Sequence, residues 1–371
     1  MKIVIAGNYG AGNLGDEMIL EGILATLKAI EPHAQITVLS GNPVETAKKY
    51  NVDSVPKFSA GIRSLIKAIF SRPGTGNAVK DCDYFILGGG GLFGNLTFSA
   101  NIIWGVQAAM AYYYKKPVLM WGQSIGELKG RLQKWLVRRL FKRAYFISVR
   151  DENSKETLKR LGLRKQIFVI SDMAFAIENS GGKINRKNTM IVSLRQMPNL
   201  DEKFIPAVSV FLNWLIENQK WEVEFAAFQE GKEGDDSLHE KIINNLKNRS
   251  GIRILDKKDI PDAFLKSKMV LGMRLHSLIT AIKTSTPFIA VSYAPKVENV
   301  LKYAKFDDFV IKTEEVTAEK LKSLFSQILG SSEKIIKELE QYTQKTFEQH
   351  KRTRDLTIRK ILSTVRENRR K

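Results

Sequence analysis

A short apolar run that gives way, within a few residues, to apolar residues at helical spacing recurs along almost the whole chain. Its sharpest instance is Met269-Val-Leu-Gly-Met-Arg-Leu-His-Ser-Leu-Ile-Thr-Ala-Ile282. Met269–Leu271 reads as a buried strand, while Leu275, Leu278, Ile279 and Ile282 share one face of a helix. Alternation of this kind selects a parallel sheet covered by helices on both faces. Strands are predicted at Lys2–Ala6, Ile36–Leu39, Tyr84–Leu87, Val118–Trp121, Tyr145–Val149 and Ile167–Ile170. The polar, glycine-containing stretch Glu178–Asn188 reads as a linker. After it the pattern restarts, with strands at Met190–Leu194, Val223–Phe228, Ile252–Leu255, Met269–Leu271, Phe288–Val291 and Phe309–Ile311. The expected fold class is α/β: two Rossmann-like, doubly wound lobes meeting at a cleft. Residues 1–180 and 181–330 form the lobes, and 331–371 are C-terminal basic helices, frayed from Arg366.

Composition removes several classes of function. With 371 residues, 43% of them hydrophobic, the chain can build two cores. One cysteine, Cys82, excludes an internal disulfide and suits a reducing cytosol. Four scattered histidines and one cysteine offer no Cys/His zinc cluster, so no metal is expected. Met1–Gly7 is expected to be a first strand and not a signal peptide, because its apolar run is so short. Tyr84 to Tyr114 carries no charged residue, yet glycines and asparagines interrupt it. Its helical part, about Ser99–Tyr114, is too short for a bilayer core of ~30 Å. It reads as a buried strand, a glycine loop and a core helix.

The formal net charge is +20, and it is concentrated: Lys129–Lys165 holds 13 Lys/Arg against 3 Asp/Glu. Such an excess points to phosphates, an anionic membrane surface or nucleic acid. Nucleic acid is not expected, since no aromatic–basic recognition motif appears and the strand-end glycine loops would go unexplained. Two basic amphipathic helices, Arg131–Arg143 and Phe58–Phe70, read either as solvated faces of core helices or as surfaces for the headgroup region of a membrane. The second reading fits a cytoplasmic protein associated peripherally with the inner face of the cell membrane.

The candidate site residues lie at strand ends, where open α/β sheets bind ligands. In Gly7-Asn-Tyr-Gly-Ala-Gly-Asn-Leu-Gly-Asp16, residues Gly10, Gly12 and Gly15 fit G-x-G-x-x-G between a strand and a helix. No acidic residue follows the second strand to hold a ribose, and the loop lacks the Gly-Lys-Ser/Thr of a P-loop. Gly10, Asn13 and Gly15 are candidate substrate contacts. Asp16 is either a helix-start partner for the dipole or a carboxylate facing the cleft. Gly88–Gly91 strips the next strand end of side chains, making Gly89 and Gly90 candidates for close approach of a ligand or of a neighbouring loop. Arg150, Arg195 and Arg274 each terminate a strand, and Lys296 follows another. Together they suit a small polyanion, although each alone reads as an ion pair. His276 and Ser277 open the helix after Arg274, and His276 can move a proton near neutral pH.

These motifs together resemble the polysaccharide pyruvyl transferase family, particularly bacterial members acting on secondary cell-wall polymers. The resemblance rests on Gly7–Glu17, Gly88–Gly91, Ser148-Val-Arg-Asp151, Ser171-Asp172 and Met273-Arg-Leu-His276, which come in the family's order. It implies a two-lobed fold like that of B-type glycosyltransferases, with the acceptor on the N-terminal lobe and phosphoenolpyruvate on the C-terminal lobe. It further implies transfer of pyruvate to a sugar as a ketal, with phosphate released, a donor chemistry that calls for no cofactor. By position, Asp16, Arg150, Arg274, His276 and Lys296 fall on functional positions. His276, Asp16 and Arg150 are then the catalytic candidates, and Arg274, Lys296, Arg195 and Ser277 hold substrate. The implied acceptor is a lipid-linked oligosaccharide containing an N-acetylhexosamine. A B-type glycosyltransferase using a nucleotide sugar is the alternative, with Glu298 as its ribose ligand.

Overall fold

The computed structural model describes the chain except residues 59–72, 95–97, 179–184, 198–199, 201, 230, 232–233 and 360–371. All of the amphipathic segment Phe58–Phe70 but its first residue, much of the stretch Glu178–Asn188 and the basic C-terminal end therefore lie outside the described residues. The chain divides into two compact units. The first is Met1–Ala11, Asp16–Ile177 and Thr346–Lys371; the second is Gly12–Gly15 and Glu178–Lys345.

The first unit holds strands β1 (Lys2–Ala6), β2 (Gln35–Ser40), β3 (Asp53–Pro56), β4 (Tyr84–Leu87), β5 (Gly90–Phe93), β6 (Val118–Ile125), β7 (Phe146–Val149) and β8 (Phe168–Val169). They run in the order β3-β2-β1-β4-β6-β7-β8, with β5 on β6, and every pairing is parallel. Successive residues of β1 feed opposite faces. Ile3 and Ile5 pack with Ile19, Ile23 and Leu27 of helix α1 (Leu14–Ile30), while Val4 and Ala6 join Phe85, Trp104 and Phe141. A sheet covered on both sides needs such continuously apolar strands, which is why the sequence shows them plainly.

Two strands depart from that pattern. β3, Asp-Ser-Val-Pro, lies at the sheet edge with partly exposed residues, so it needs no apolar run and tolerates its proline. The Gly88–Gly91 run is not loop throughout, because Gly90 already opens β5. The register of β6 shifts between Met120 and Gln123, around Gly122 at φ +69, which pairs Gly90 with Gln123 and Phe93 with Ile125. The Gln123 side chain then donates to the Leu87 and Gly88 carbonyls at 2.8 and 2.5 Å.

The second unit holds β9 (Lys187–Ser193), β10 (Glu222–Phe225), β11 (Ile252–Ile254), β12 (Ser267–Gly272), β13 (Phe288–Ser292) and β14 (Val310–Lys312), all parallel, in the order β11-β10-β9-β12-β13-β14. In each sheet the strand order reverses once, between β1 and β4 in the first and between β9 and β12 in the second. The segment read from sequence as a terminal helical piece is shared between the units. Its long helix Ser332–Thr353 places Thr343 Oγ1 on the Ile282 carbonyl at 2.9 Å in the second unit. The same helix places Gln349 Nε2 on the Val169 carbonyl at 3.4 Å in the first.

Arg186 fixes the far end of the helix that bears the sharpest motif. Its guanidinium donates to the carbonyls of Leu265, Ser267, Thr284 and Ser285 at 2.7–3.1 Å, and to Thr286 Oγ1 at 2.7 Å. Several of these are orphan carbonyls of helix C-termini, which need a donor. Arg186→Met should therefore cost the second unit on the order of 2–4 kcal/mol in denaturant titration, the scale of lost charge-assisted bonds to buried carbonyls.

Candidate active site

Ligands of open α/β sheets bind beyond the carboxyl ends of the strands, at the point where strand order reverses. In the second unit that point lies between β9, which ends at Ser193 just before Arg195, and β12, which ends at Gly272 just before Arg274 and His276. Helix Leu275–Lys283 starts here because Arg274 is still extended, at φ −72 and ψ 132. Ser277 is buried and donates its hydroxyl to the Arg274 carbonyl at 2.7 Å, so its visible role is to close the first turn and not to meet a substrate.

Arg274 is held by a carboxylate that sequence reading did not single out. Asp235, 0% exposed, accepts from Arg274 Nε at 2.9 Å and from Nη2 at 2.6 Å. It also accepts the backbone N–H groups of Phe228 and Gln229, each at 3.0 Å. The fork of Arg274 thus spends one edge on Asp235 and is aimed by it. Next to this pair His239 is buried, and burial lowers its pKa to about 4. It stays neutral near pH 7 and accepts the Leu194 N–H at Nε2, 3.2 Å away. Arg195 donates to the Tyr293 hydroxyl at 2.9 Å and lies over that ring at 5.0 Å. Lys296 is the second residue of helix Pro295–Ala304, at the carboxyl end of β13; its side chain lies outside the described residues.

The short piece Gly12–Gly15 belongs to this second unit, though the chain enters it from β1. Leu14 N–H donates to the Phe228 carbonyl at 2.9 Å, Asn13 Nδ2 to Gln229 Oε1 at 2.9 Å, and Lys257 Nζ to the Gly12 carbonyl at 2.8 Å. Asn13, expected to touch substrate, is bound here to Gln229. The Cα of Gly15 rests on the His276 imidazole so closely that a Cβ would collide with the ring. Asp235, the 228–229 loop, this strap and His276 therefore form one connected scaffold.

In the first unit the reversal lies between β1 and β4. Gly10, at φ +63, packs its Cα on Ser40 and Asn42, and its N–H donates to Glu17 Oε1 at 2.8 Å. Asp16 Oδ2 accepts from Asn8 Nδ2 at 2.8 Å, and Asn8 Oδ1 accepts from Lys57 Nζ at 3.3 Å. Burial lowers the Lys57 pKa, opposed by the Asp16 and Glu17 charges. Gly88 faces the buried Tyr9 hydroxyl, whose pKa burial raises, and Gly89 faces the Gly122 carbonyl. Those two glycines allow chain to pack on chain; Gly90 faces Asp16. Arg150 is buried in an ion pair with Asp172 at 3.0 Å, both side chains at most 5% exposed, and its Nε makes no hydrogen bond among the described residues.

The structure thus brings Arg195, Arg274, His276, Asn13 and Gly15 together in one unit, and Gly10, Asp16, Gly90 and Arg150 to the corresponding edge of the other. Asp235, Gln229, His239, Asn8 and Lys57 escaped the sequence reading, since a polar residue after a strand carries no periodic signal. Asp172 had a signal, the Ser171-Asp172 motif just beyond β8.

Comparison with solved structures places this architecture among B-type glycosyltransferases and sugar-nucleotide epimerases. A glycosyltransferase of Rickettsia africae superposes with a TM-score of 0.64 at 13% identity, over 97% of this chain and 98% of that one. HepE of Anabaena, solved with UDP-glucose, gives 0.62 at 12% identity over 99% of each chain. The UDP-GlcNAc 2-epimerase of Neisseria meningitidis gives 0.58 at 11% identity, over 91% and 94%. The sequence itself is more specific: residues 13–295 match the model of the polysaccharide pyruvyl transferases, and the chain belongs to that family. A curated relative is the amylovoran biosynthesis protein AmsJ of Erwinia amylovora, 22% identical across 81% of this chain and 86% of its own length.

If Gly15 sets the place of His276, Gly15→Ala should displace the ring. We expect a loss of about 1–3 kcal/mol, the usual cost of overpacking, together with a shift of the His276 imidazole resonances in NMR spectra. Unmoved resonances would remove Gly15 from that role.

Proposed function

We propose that the protein transfers pyruvate from phosphoenolpyruvate to a sugar of a cell-wall or surface polysaccharide precursor, as a ketal, with release of phosphate. The observation that carries this reading is Arg274, aimed by buried Asp235, two residues from His276 at a helix opening in a member of this family. A guanidinium edge and a helix N-terminus both favour the carboxylate and phosphate of such a donor. Arg195 and Lys296 are assigned to the same anion. His276 gives its proton to the C3 methylene, and C2 becomes electrophilic. A sugar hydroxyl adds to C2 as Asp16 takes its proton. The C2–O bond to phosphate then breaks with its electron pair, and a second hydroxyl adds to C2 and closes the ketal, its proton returning to His276 while the proton on Asp16 passes to the released phosphate. Arg150 remains a catalytic candidate because its Nε is uncommitted among the described residues. The reaction as written calls on no metal or cofactor.

His276→Ala should lose ~10²–10⁴-fold in kcat while donor affinity falls far less. Arg274→Ala should chiefly weaken phosphoenolpyruvate binding, and Asp16→Asn should impair turnover with donor binding retained. Phosphate release in the presence of an N-acetylhexosamine-containing acceptor, beside calorimetry of donor binding, measures all three. A nucleotide-sugar glycosyltransferase is the rival. It is favoured by HepE, solved with UDP-glucose, and by Glu298, which sits in the first turn after β13 and accepts from Ser292 Oγ at 2.8 Å. Stabilisation by a uridine nucleotide sugar and none by phosphoenolpyruvate would transfer the assignment to that rival.

The acceptor is proposed to be lipid-linked and met at an anionic membrane surface. No described helix is long and apolar enough to cross a membrane. Helix Arg131–Arg143, however, buries Val137, Leu140 and Phe141 and leaves Leu132 and Trp135 each 57% exposed among basic residues. Arg131 and Lys134 stand in its first turn, against the helix dipole, so helix stability does not account for them. Binding to anionic vesicles at low salt should be lost at high salt, the Debye length being ~10 Å at 0.1 M. It should weaken in the triple variant Arg131→Glu, Arg138→Glu, Lys142→Glu, measured by co-sedimentation.

A further inference from the structure

The carboxyl edge of the first unit's sheet carries a compact polar group that joins two residues of the Gly7–Glu17 motif to Lys57, which no motif picks out. Asn8 follows β1, Asp16 lies in the first turns of α1, and Lys57 follows β3. The Asn8 amide spans the other two, its Nδ2 on Asp16 at 2.8 Å and its Oδ1 accepting from Lys57 at 3.3 Å. All three are half-buried, so water reaches them and a small ligand can. Gly90, at φ +103, presents bare backbone to Asp16, with 3.5 Å between its Cβ position and Asp16 Oδ1; a Cβ on Gly91 would meet no described atom within 4 Å. The Lys57 ammonium lies 5.8 Å from the centre of the Trp104 ring, which walls that side.

The surrounding bonds hold this group still. Glu17 takes the Gly10 N–H on one oxygen and the Tyr50 hydroxyl on the other, at 2.8 and 2.6 Å, which fixes the loop between Asn8 and Asp16. The Lys57 backbone N–H is on the Ser40 carbonyl at 2.9 Å. Within the group the Asp16 carboxylate faces the Lys57 ammonium, while Glu17 is taken up by Gly10 and Tyr50, so the three residues together offer one acceptor for a hydroxyl proton and one donor. A sugar hydroxyl both donates and accepts, and two neighbouring hydroxyls match a carboxylate beside an ammonium.

We propose that Asn8, Asp16 and Lys57 form a subsite for a pair of hydroxyls of a neutral hexopyranose, Asp16 accepting from one and Lys57 donating to the other. Asn8 is the positioning residue that sets the spacing between them. The inference rests on the acceptor side of the proposed function and names the residues that would bind the sugar. The ammonium is already partly desolvated, so water competes less for its bond to the hydroxyl than at an open surface.

The test titrates N,N′-diacetylchitobiose into the wild-type full chain, Lys57→Met, Lys57→Arg and Asn8→Ala by saturation-transfer NMR, with melting temperatures as the control for folding. Lys57→Met should weaken sugar binding roughly ten- to a hundredfold, the worth of one charge-assisted hydrogen bond. Lys57→Arg should recover part of the loss, and phosphoenolpyruvate affinity should stay within about twofold in both. Where turnover is measured, the change should fall on the KM for the sugar more than on kcat. If Lys57→Met does not fold, Asn8→Ala, with weakened sugar binding at an unchanged melting temperature, carries the same test. Wild-type sugar affinity in a folded Lys57→Met or Asn8→Ala overturns the proposal. Failure of phosphoenolpyruvate to bind the wild type overturns the donor assignment alone, because the sugar titration needs no donor.

Discussion

The carboxylate of Asp235 is the contact on which the second unit's site depends. A fully buried charge is tolerable only when hydrogen bonds and an opposite charge replace water. Asp235 obtains both, from two backbone N–H groups of the 228–229 loop and from the fork of Arg274. Satisfying that one group fixes a loop and the strand-end Arg274 together. The same loop then receives Leu14 and Asn13 from the amino-terminal strap, and the strap presses Gly15 on His276. The histidine's place is thus linked to that carboxylate through the loop and the strap.

The first unit repeats the principle with different residues. Arg150 ends β7 and is paired with Asp172 just beyond β8, again in the interior. Its glycines act in two ways. Gly88 and Gly89 let the end of β4 press against Tyr9 and Gly122, a matter of packing. Gly90, in the left-handed region, turns the chain into β5 and leaves bare backbone opposite Asp16. A run of four like residues therefore divides into two structural jobs, because each glycine meets a different neighbour.

Membership of the pyruvyl transferases and likeness to B-type glycosyltransferases are compatible facts about different levels. The doubly wound units and their strand-order reversals set where a ligand binds. Which ligand binds is decided by side chains on the strand ends, and fold alone leaves that open. Here those ends carry arginines and a histidine on one unit, and a carboxylate–amide–ammonium group on the other.

Much was legible from sequence alone, for a physical reason. Strands buried on both faces must be continuously apolar, and helices facing them must repeat at 3.6 residues. The β1, β4, β9, β12 and β13 runs could therefore be read directly, along with the strand-end positions of Arg150, Arg195, Arg274 and His276. β3 escaped because an edge strand needs no apolar run, and β5 because glycine has no pattern to show. Only the tertiary structure decided which carboxylate meets which arginine, that Ser277 turns inward, that Asn13 binds Gln229, and that Asn8 bridges Asp16 and Lys57. These pairs are separated by up to 216 residues in the chain. A polar side chain's partner is fixed by where the backbone carries it, and no local periodicity records that.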